Sequence, residues 1–270
     1  MLVGGWRTFR NNVGFCLCLL VALGSTAAFS QTQDPSVVAL EQGKAAFKAG
    51  KYGEAVQDLK KSLAADPDYT LAKLYLGASY ALQVAPNVKT PENLANAEAA
   101  LAALKQIPED DSGYHNALKL MGLVYRNTGR LDDAREMELS ALKIAPDDAE
   151  THYTIGVIDW MQANVFAAEA LSADGLQDDG AGNAKMSAAT CDKIKEHNSP
   201  LVDGAITHLT RAMELRANYA DAMGYLKLIY LRRADFDCND PGARGQDIEL
   251  ANRWAKQAEM AKSAPATPAH

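Results

Sequence analysis

HNALKLMGLVYRNTGRLDDAREMELSALKIAPDD, residues 115–148, carries apolar side chains at helical spacing on both sides of a short break at Thr128 to Arg130. Leu118, Met121 and Tyr125 share one face of the first half; Leu131, Ala134, Ala141 and Leu142 continue the pattern after the break, and Pro146 ends it. The stretch predicts a helical hairpin. Gly122 and Ala134 are small where two helix backbones must approach closely, and Tyr125 is large enough to fill the wedge between neighbouring hairpins.

The same pattern recurs outward along the chain. Gly43 and Gly77 are separated by 34 residues, as are Gly122 and Gly156. Twelve residues beyond Gly43 stands Ala55 and twelve further Pro67; from Gly122 the same steps reach Ala134 and Pro146. A third copy starts at Tyr69, Leu76, Gly77 and Tyr80, and its second helix is delayed by a longer turn until Thr90, Pro91 and Glu92, which read as a cap and first turn. A fourth begins at His152, Ile155 and Gly156 and resumes only at Ala205, Leu209, Ala212 and Met213. A fifth runs through Tyr219, Met223, Leu226 and Tyr230, then Ala251, Ala255 and Ala258, with Lys227 at the glycine position, as a degenerate terminal copy.

These residues resemble the tetratricopeptide repeat, a helical hairpin of 34 residues. The resemblance implies an all-α, right-handed αα superhelix of about five hairpins over residues 31–262. Its repeats fall at 36–69, 70–110, 115–148, 149–218 with an insertion at 162–200, and 219–262, and residues 263–270 form a disordered tail. The long fourth-copy insertion, with Asp178 to Gly182, and the closing Ala222 to Leu226 are also similar to an exported bacterial type of repeat protein.

Composition agrees with packed helices: 48 of the 270 residues are alanine and 7% are aromatic. The first thirty residues hold Arg7 and Arg10, no acidic residue, the apolar run Val13 to Leu23 and small residues before Ser30. They read as a signal peptide cleaved after Ser30, with Ala28 as the second choice. The apolar run is roughly 18 Å long as a helix against about 30 Å of hydrocarbon, too short for a stable membrane span. The expected protein is therefore exported, periplasmic or secreted. The formal charge of −7, falling to −9 without residues 1–30, argues against a nucleic-acid partner.

Cys191 and Cys238 are the two cysteines beyond the leader, and in an oxidising compartment they are expected to form a disulfide between the insertion and the turn of the last hairpin. Within the insertion, Asn164 to Leu171 is expected to prolong the preceding helix, Asp174 to Gly182 to form a loop, and Met186 to His197 to form a helix stopped by Asn198, Ser199 and Pro200. No metal site is expected: a calcium loop begun at Asp174 would place Leu176 and Lys185 at ligand positions, and the histidines lack i, i+4 spacing. No phosphate loop, no GxSxG and no catalytic constellation is present, and no cofactor is expected.

The resemblance implies a concave groove lined by the first helix of each hairpin, usually holding a peptide or helix of a partner protein. Carried onto this sequence, the partner-binding positions are Lys44, Phe47 and Lys48, then Asn116, Lys119, Leu123, Arg126 and Asn127, and then Tyr153, Trp160 and Met161. The spacing from Asn116 to Asn127 independently puts those five on one helix face, opposite Leu118, Met121 and Tyr125. The four basic side chains of the expected groove, Lys44, Lys48, Lys119 and Arg126, favour an acidic partner segment. The expected function is a non-enzymatic protein-binding scaffold of the bacterial envelope. The alternative is an envelope assembly or biogenesis accessory that acts through its insertion or by self-association.

Overall fold

The computed structural model describes residues 33–263, and within them the chain is all α apart from one short 3-10 turn. Ten helices follow in pairs: α1 (Pro35–Lys48) with α2 (Tyr52–Ala65), α3 (Thr70–Ala81) with α4 (Pro91–Leu104), α5 (Tyr114–Asn127) with α6 (Leu131–Ile144), α7 (Ala149–Ala173) with α8 (Ala188–Leu215), and α9 (Ala220–Arg233) with α10 (Pro241–Ser263). Each helix packs most closely on its partner and then on the next hairpin, which is the arrangement of a tetratricopeptide-like solenoid. The leader reading, at residues 1–30, and the tail beyond Ser263 lie outside the described residues.

Local chemistry sets the helix ends. Asp34 caps α1, its carboxylate accepting from the Ser36 N–H at 2.8 Å with Pro35 in the first turn. Thr90 and Pro91 open α4 in the same way. The tight turns of the first and third hairpins share one geometry. Gly50 and Gly129 take positive φ, and the following N–H of Lys51 or Arg130 reaches back to the carbonyl of Ala46 or Tyr125 at 3.0 and 2.8 Å. The longer turn of the second hairpin is held by buried Asn93, whose amide bonds the backbone of Ala85 and Val88.

Inside three hairpins a leucine of the second helix lies over a glycine of the first: Leu59 over Gly43, Leu104 over Gly77 and Leu209 over Gly156. A Cβ on any of these glycines would lie 2.5 or 2.6 Å from the leucine Cγ, so the helices could not pack at this distance with alanine there. The third hairpin departs from this rule: Gly122 faces the carboxyl group of Glu138.

The inserted segment lengthens the fourth hairpin. α7 continues to Ala173, a loop with glycines 175, 180 and 182 at positive φ follows, and α8 then runs unbroken from Ala188 to Leu215. The expected stop at Asn198, Ser199 and Pro200 does not occur, and Pro200 sits inside α8. A helix-interior proline costs about 3 kcal/mol. Here Ile194, Asn198, Val202, Ala205 and Leu209 are all fully buried on one face of α8. Burying each large apolar side chain contributes about 1.5–3 kcal/mol, which outweighs the missing bond at Pro200. Asn198, read as a breaker, anchors the helix by donating to the Ala163 carbonyl of α7 at 2.9 Å.

The loop between α7 and α8 is fixed to the last hairpin by a buried polar network. Arg232 of α9, 5% exposed, bonds Asp178 at 2.6 Å, Asp235 at 2.8 Å and Asn164 at 2.9 Å. Asn183 donates to both Asp178 and Asp235. Burial drives the Asp235 carboxyl up to about 6 against the pull of Arg232.

Candidate functional site

The first helices of the hairpins surround a concave cavity of about 890 Å³. Phe47 of α1, Tyr75 of α3, Leu123 of α5, Tyr153 and Met161 of α7, and Tyr225 of α9 supply its apolar wall. The aromatic rings brace one another: Phe47 meets Tyr75 edge-on at 5.4 Å, and Tyr153 meets Tyr225 at 5.7 Å. Burial holds the Tyr153 hydroxyl neutral, pushed up to about 12.

Of the expected groove residues, the structure brings Phe47, Asn116, Lys119, Leu123, Arg126, Asn127, Tyr153 and Met161 around this one cavity. It places three elsewhere. Lys44 bonds Glu41 one turn back on its own helix at 2.7 Å, and Lys48 is exposed near the end of α1. Trp160 packs edge-on against Tyr225 at 5.4 Å, half-buried on the core of the last hairpin.

The basic face is also weaker than its sequence suggests. Lys119 donates to Asp148 at 2.7 Å. Burial raises the Asp148 carboxyl, but the hydrogen bonds from Lys119 and Thr151 outweigh it and hold the group down at about 2. The Asn127 amide donates to the Val84 carbonyl at 2.9 Å, and the Asn127 carbonyl accepts from the Asn87 N–H at 2.8 Å. This tie between the second and third hairpins leaves Asn127 a smaller part in holding a ligand. Arg126 makes no ion pair or side-chain hydrogen bond among the described residues.

The groove reading missed several wall residues, among them Tyr75, Glu150, Tyr225 and Glu138. Glu138 belongs to α6, a second helix, yet its side chain passes beneath Gly122 to the cavity, and it is 2% exposed. Its Oε2 is buried without a hydrogen-bond partner among the described residues. Burial pushes its carboxyl up to about 8, only partly offset by Lys119 and Arg126. The signal was present in the repeat register: Leu59 lies sixteen residues after Gly43, and Glu138 stands at the same step after Gly122.

Cys191 and Cys238 are also brought together, with Cα atoms 6.3 Å apart, inside the range a disulfide spans. Among the described residues no three His, Cys, Asp or Glu side chains converge as a metal site, and no helix is long and apolar enough to cross a membrane.

Residues 38–69 match the family described as the tetratricopeptide repeat. No curated protein matches the sequence. Among solved structures, MamA from Desulfovibrio magneticus RS-1 aligns with a TM-score of 0.56 at 12% identity, over 86% of this chain and 98% of its own. A second MamA structure gives 0.54 at 16% identity, over 87% and 98%. YrrB, described as a TPR protein with an unusual peptide-binding site, gives 0.52 at 11%, over 87% and 95%.

These comparisons correct two expectations. MamA and YrrB take the place of the exported bacterial type with an inserted fourth repeat as the structures that this chain is similar to. The assignment to the periplasm or the cell exterior, drawn from residues 1–30 and that resemblance, is withdrawn with it. What the helices and the aligned structures together establish is the fold: a solenoid of five tetratricopeptide-like hairpins.

Proposed function

We propose that this protein is a non-enzymatic scaffold that binds an extended or helical segment of a partner protein in its concave groove. The observation that carries the reading is the cavity itself, walled by aromatic and aliphatic side chains from all five hairpins, with a few polar groups among them. A peptide-binding site in YrrB, a protein of the same fold, is consistent with this use. The groove charge no longer favours an acidic segment, because Lys44 and Lys119 are paired within the chain. The pairing of Cys191 with Cys238 is part of the same proposal: it would hold the inserted loop against the last hairpin and keep it away from the groove.

The test is affinity capture from an extract of the source cells, with the parent chain beside Leu123→Glu and Tyr153→Ala variants. A partner held by the parent and lost by both variants supports the groove. The same partner held equally by all three would place the contact elsewhere and overturn the reading.

A further inference from the structure

His152 and His208 depart together from what hairpin packing needs. His152 stands four residues before Gly156, and His208 directly precedes the leucine that lies over that glycine. In the same register the third hairpin has Leu118 and Met137, both packed in its apolar core. In the fourth hairpin the two side chains meet through nitrogen instead. Nδ1 of His152 on α7 lies 2.9 Å from Nδ1 of His208 on α8, although 56 residues separate them in sequence. The rings are tilted by 38° with centroids 5.1 Å apart, and both side chains are half-buried, within reach of solvent.

The backbone decides how His152 uses its two nitrogens. Its Nε2 is 3.0 Å from the Pro146 carbonyl, so Nε2 carries the proton and donates. Nδ1 therefore holds a lone pair, which in the free chain accepts from the Nδ1–H of His208. An imidazole whose far nitrogen donates to a backbone carbonyl is fixed in the tautomer and orientation of a metal ligand. His208 becomes a second ligand by moving its proton from Nδ1 to Nε2, a nitrogen with no hydrogen-bond partner among the described residues.

The separation selects the ion. Two nitrogens 2.9 Å apart, each about 2.0 Å from a metal, subtend close to a right angle at it, whereas tetrahedral zinc needs its nitrogen ligands about 3.3 Å apart. A right angle between imidazoles is the cis arrangement of copper(II) and nickel(II), and copper(II) is held the more tightly of the two. The neighbouring cations are already paired. Arg135 of α6, which faces His208, is held by buried Asp159 at 2.6 Å, and Arg211, one turn further along α8, by Asp147 at 2.7 Å and Glu214 at 2.9 Å.

We propose that His152 and His208 form a copper(II) site, with the two Nδ1 atoms as cis ligands and water in the remaining positions. The ion would join α7 to α8 at the end of the fourth hairpin away from the insertion, and the site is independent of the groove reading.

The test is titration of copper(II) sulfate into the purified full chain, with glycine as a competing chelator and with Cys16→Ser and Cys18→Ser removing competing thiols. One site is expected to fill and to raise the unfolding midpoint. Electron spin resonance of the complex is expected to show two imidazole nitrogens. His152→Gln and His208→Gln are each expected to weaken binding by at least about 30-fold and to remove the two-nitrogen signature, which a His197→Gln, His270→Gln variant keeps. The pair His152→Leu, His208→Met copies the third hairpin; it is expected to fold and to lose the site, which separates loss of copper from loss of structure. One imidazole nitrogen in the parent spectrum, unchanged affinity in either glutamine variant, or no copper bound by the parent would each overturn the site.

Discussion

At the scale of a residue, Glu138 buries a carboxyl group where three sibling hairpins bury leucine. Its carboxyl group is fully ionised in the unfolded chain above about pH 6 and largely protonated in the folded chain until about pH 8. The folded state therefore binds more protons in that window, and stability falls as pH rises. Two other buried groups blur the acid side: His208, lowered to about 4 by burial and its neighbour His152, and Asp235 at about 6. The unfolded-state imidazole of His208 has mostly lost its proton above about pH 7, so the clean interval is pH 7 to 8.5, where denaturant unfolding of the parent is expected to lose on the order of 1 kcal/mol. Glu138→Leu should remove that slope and raise stability at pH 8 by about 2 kcal/mol, measured by the same titration. An unchanged slope would show that Glu138 is ionised in the folded chain. Asp148 works with the opposite sign: its contribution is complete above about pH 4 and is lost as pH falls toward 2.

At the scale of an element, α8 shows how tertiary burial overrides local preference. Pro200 removes a helix donor, and Asn198 and Ser199 before it favour a turn, so the local sequence reads as an end. Helical spacing nonetheless lines up Ile194, Asn198, Val202 and Leu209 against α7, and the continuous helix buries all four. Pro200→Ala is expected to raise stability by about 2 kcal/mol, and Asn198→Ala to lower it by about 2 kcal/mol through the unpaired Ala163 carbonyl, both read from unfolding midpoints. If Asn198→Ala cost nothing, a water would have to satisfy that carbonyl. The other elements were easier to read because caps and turns act within a few residues: Thr90 with Pro91, and Gly129 after α5.

At the scale of the molecule, the extended fourth hairpin meets the fifth at two points. One is the network of Arg232 with Asp178, Asp235 and Asn164; the other is the approach of Cys191 to Cys238. A bridge across the 47-residue separation would stabilise the chain by about 4 kcal/mol in the chain-entropy account. A peptide map of unreduced, alkylated protein is expected to give one cross-linked peptide pair, and reduction is expected to lower the unfolding midpoint. Two alkylated cysteines would remove the bridge and leave Arg232 as the fastening. Arg232→Ala is then expected to open the 174–187 loop to protease, because it strands Asp178 and Asp235 without their cation, at a cost of about 3 kcal/mol.

The sequence by itself determined the repeat, because a hairpin is encoded by spacings short enough to see: glycine against a large residue, alanine at the crossing, a turn glycine, a proline at the end. Periodicity put Leu123 and Arg126 on one face of α5, and the tetratricopeptide resemblance added Tyr153 to the same expected groove. Only the tertiary structure decided what those faces meet. Lys119 is neutralised by Asp148, which is 29 residues away, and Asn127 is engaged by Val84, which is 43 residues away. Glu138 enters the cavity from a helix whose neighbours in sequence face elsewhere. Charge and hydrogen-bond partners depend on which side chains converge in space, and no spacing along one helix carries that information.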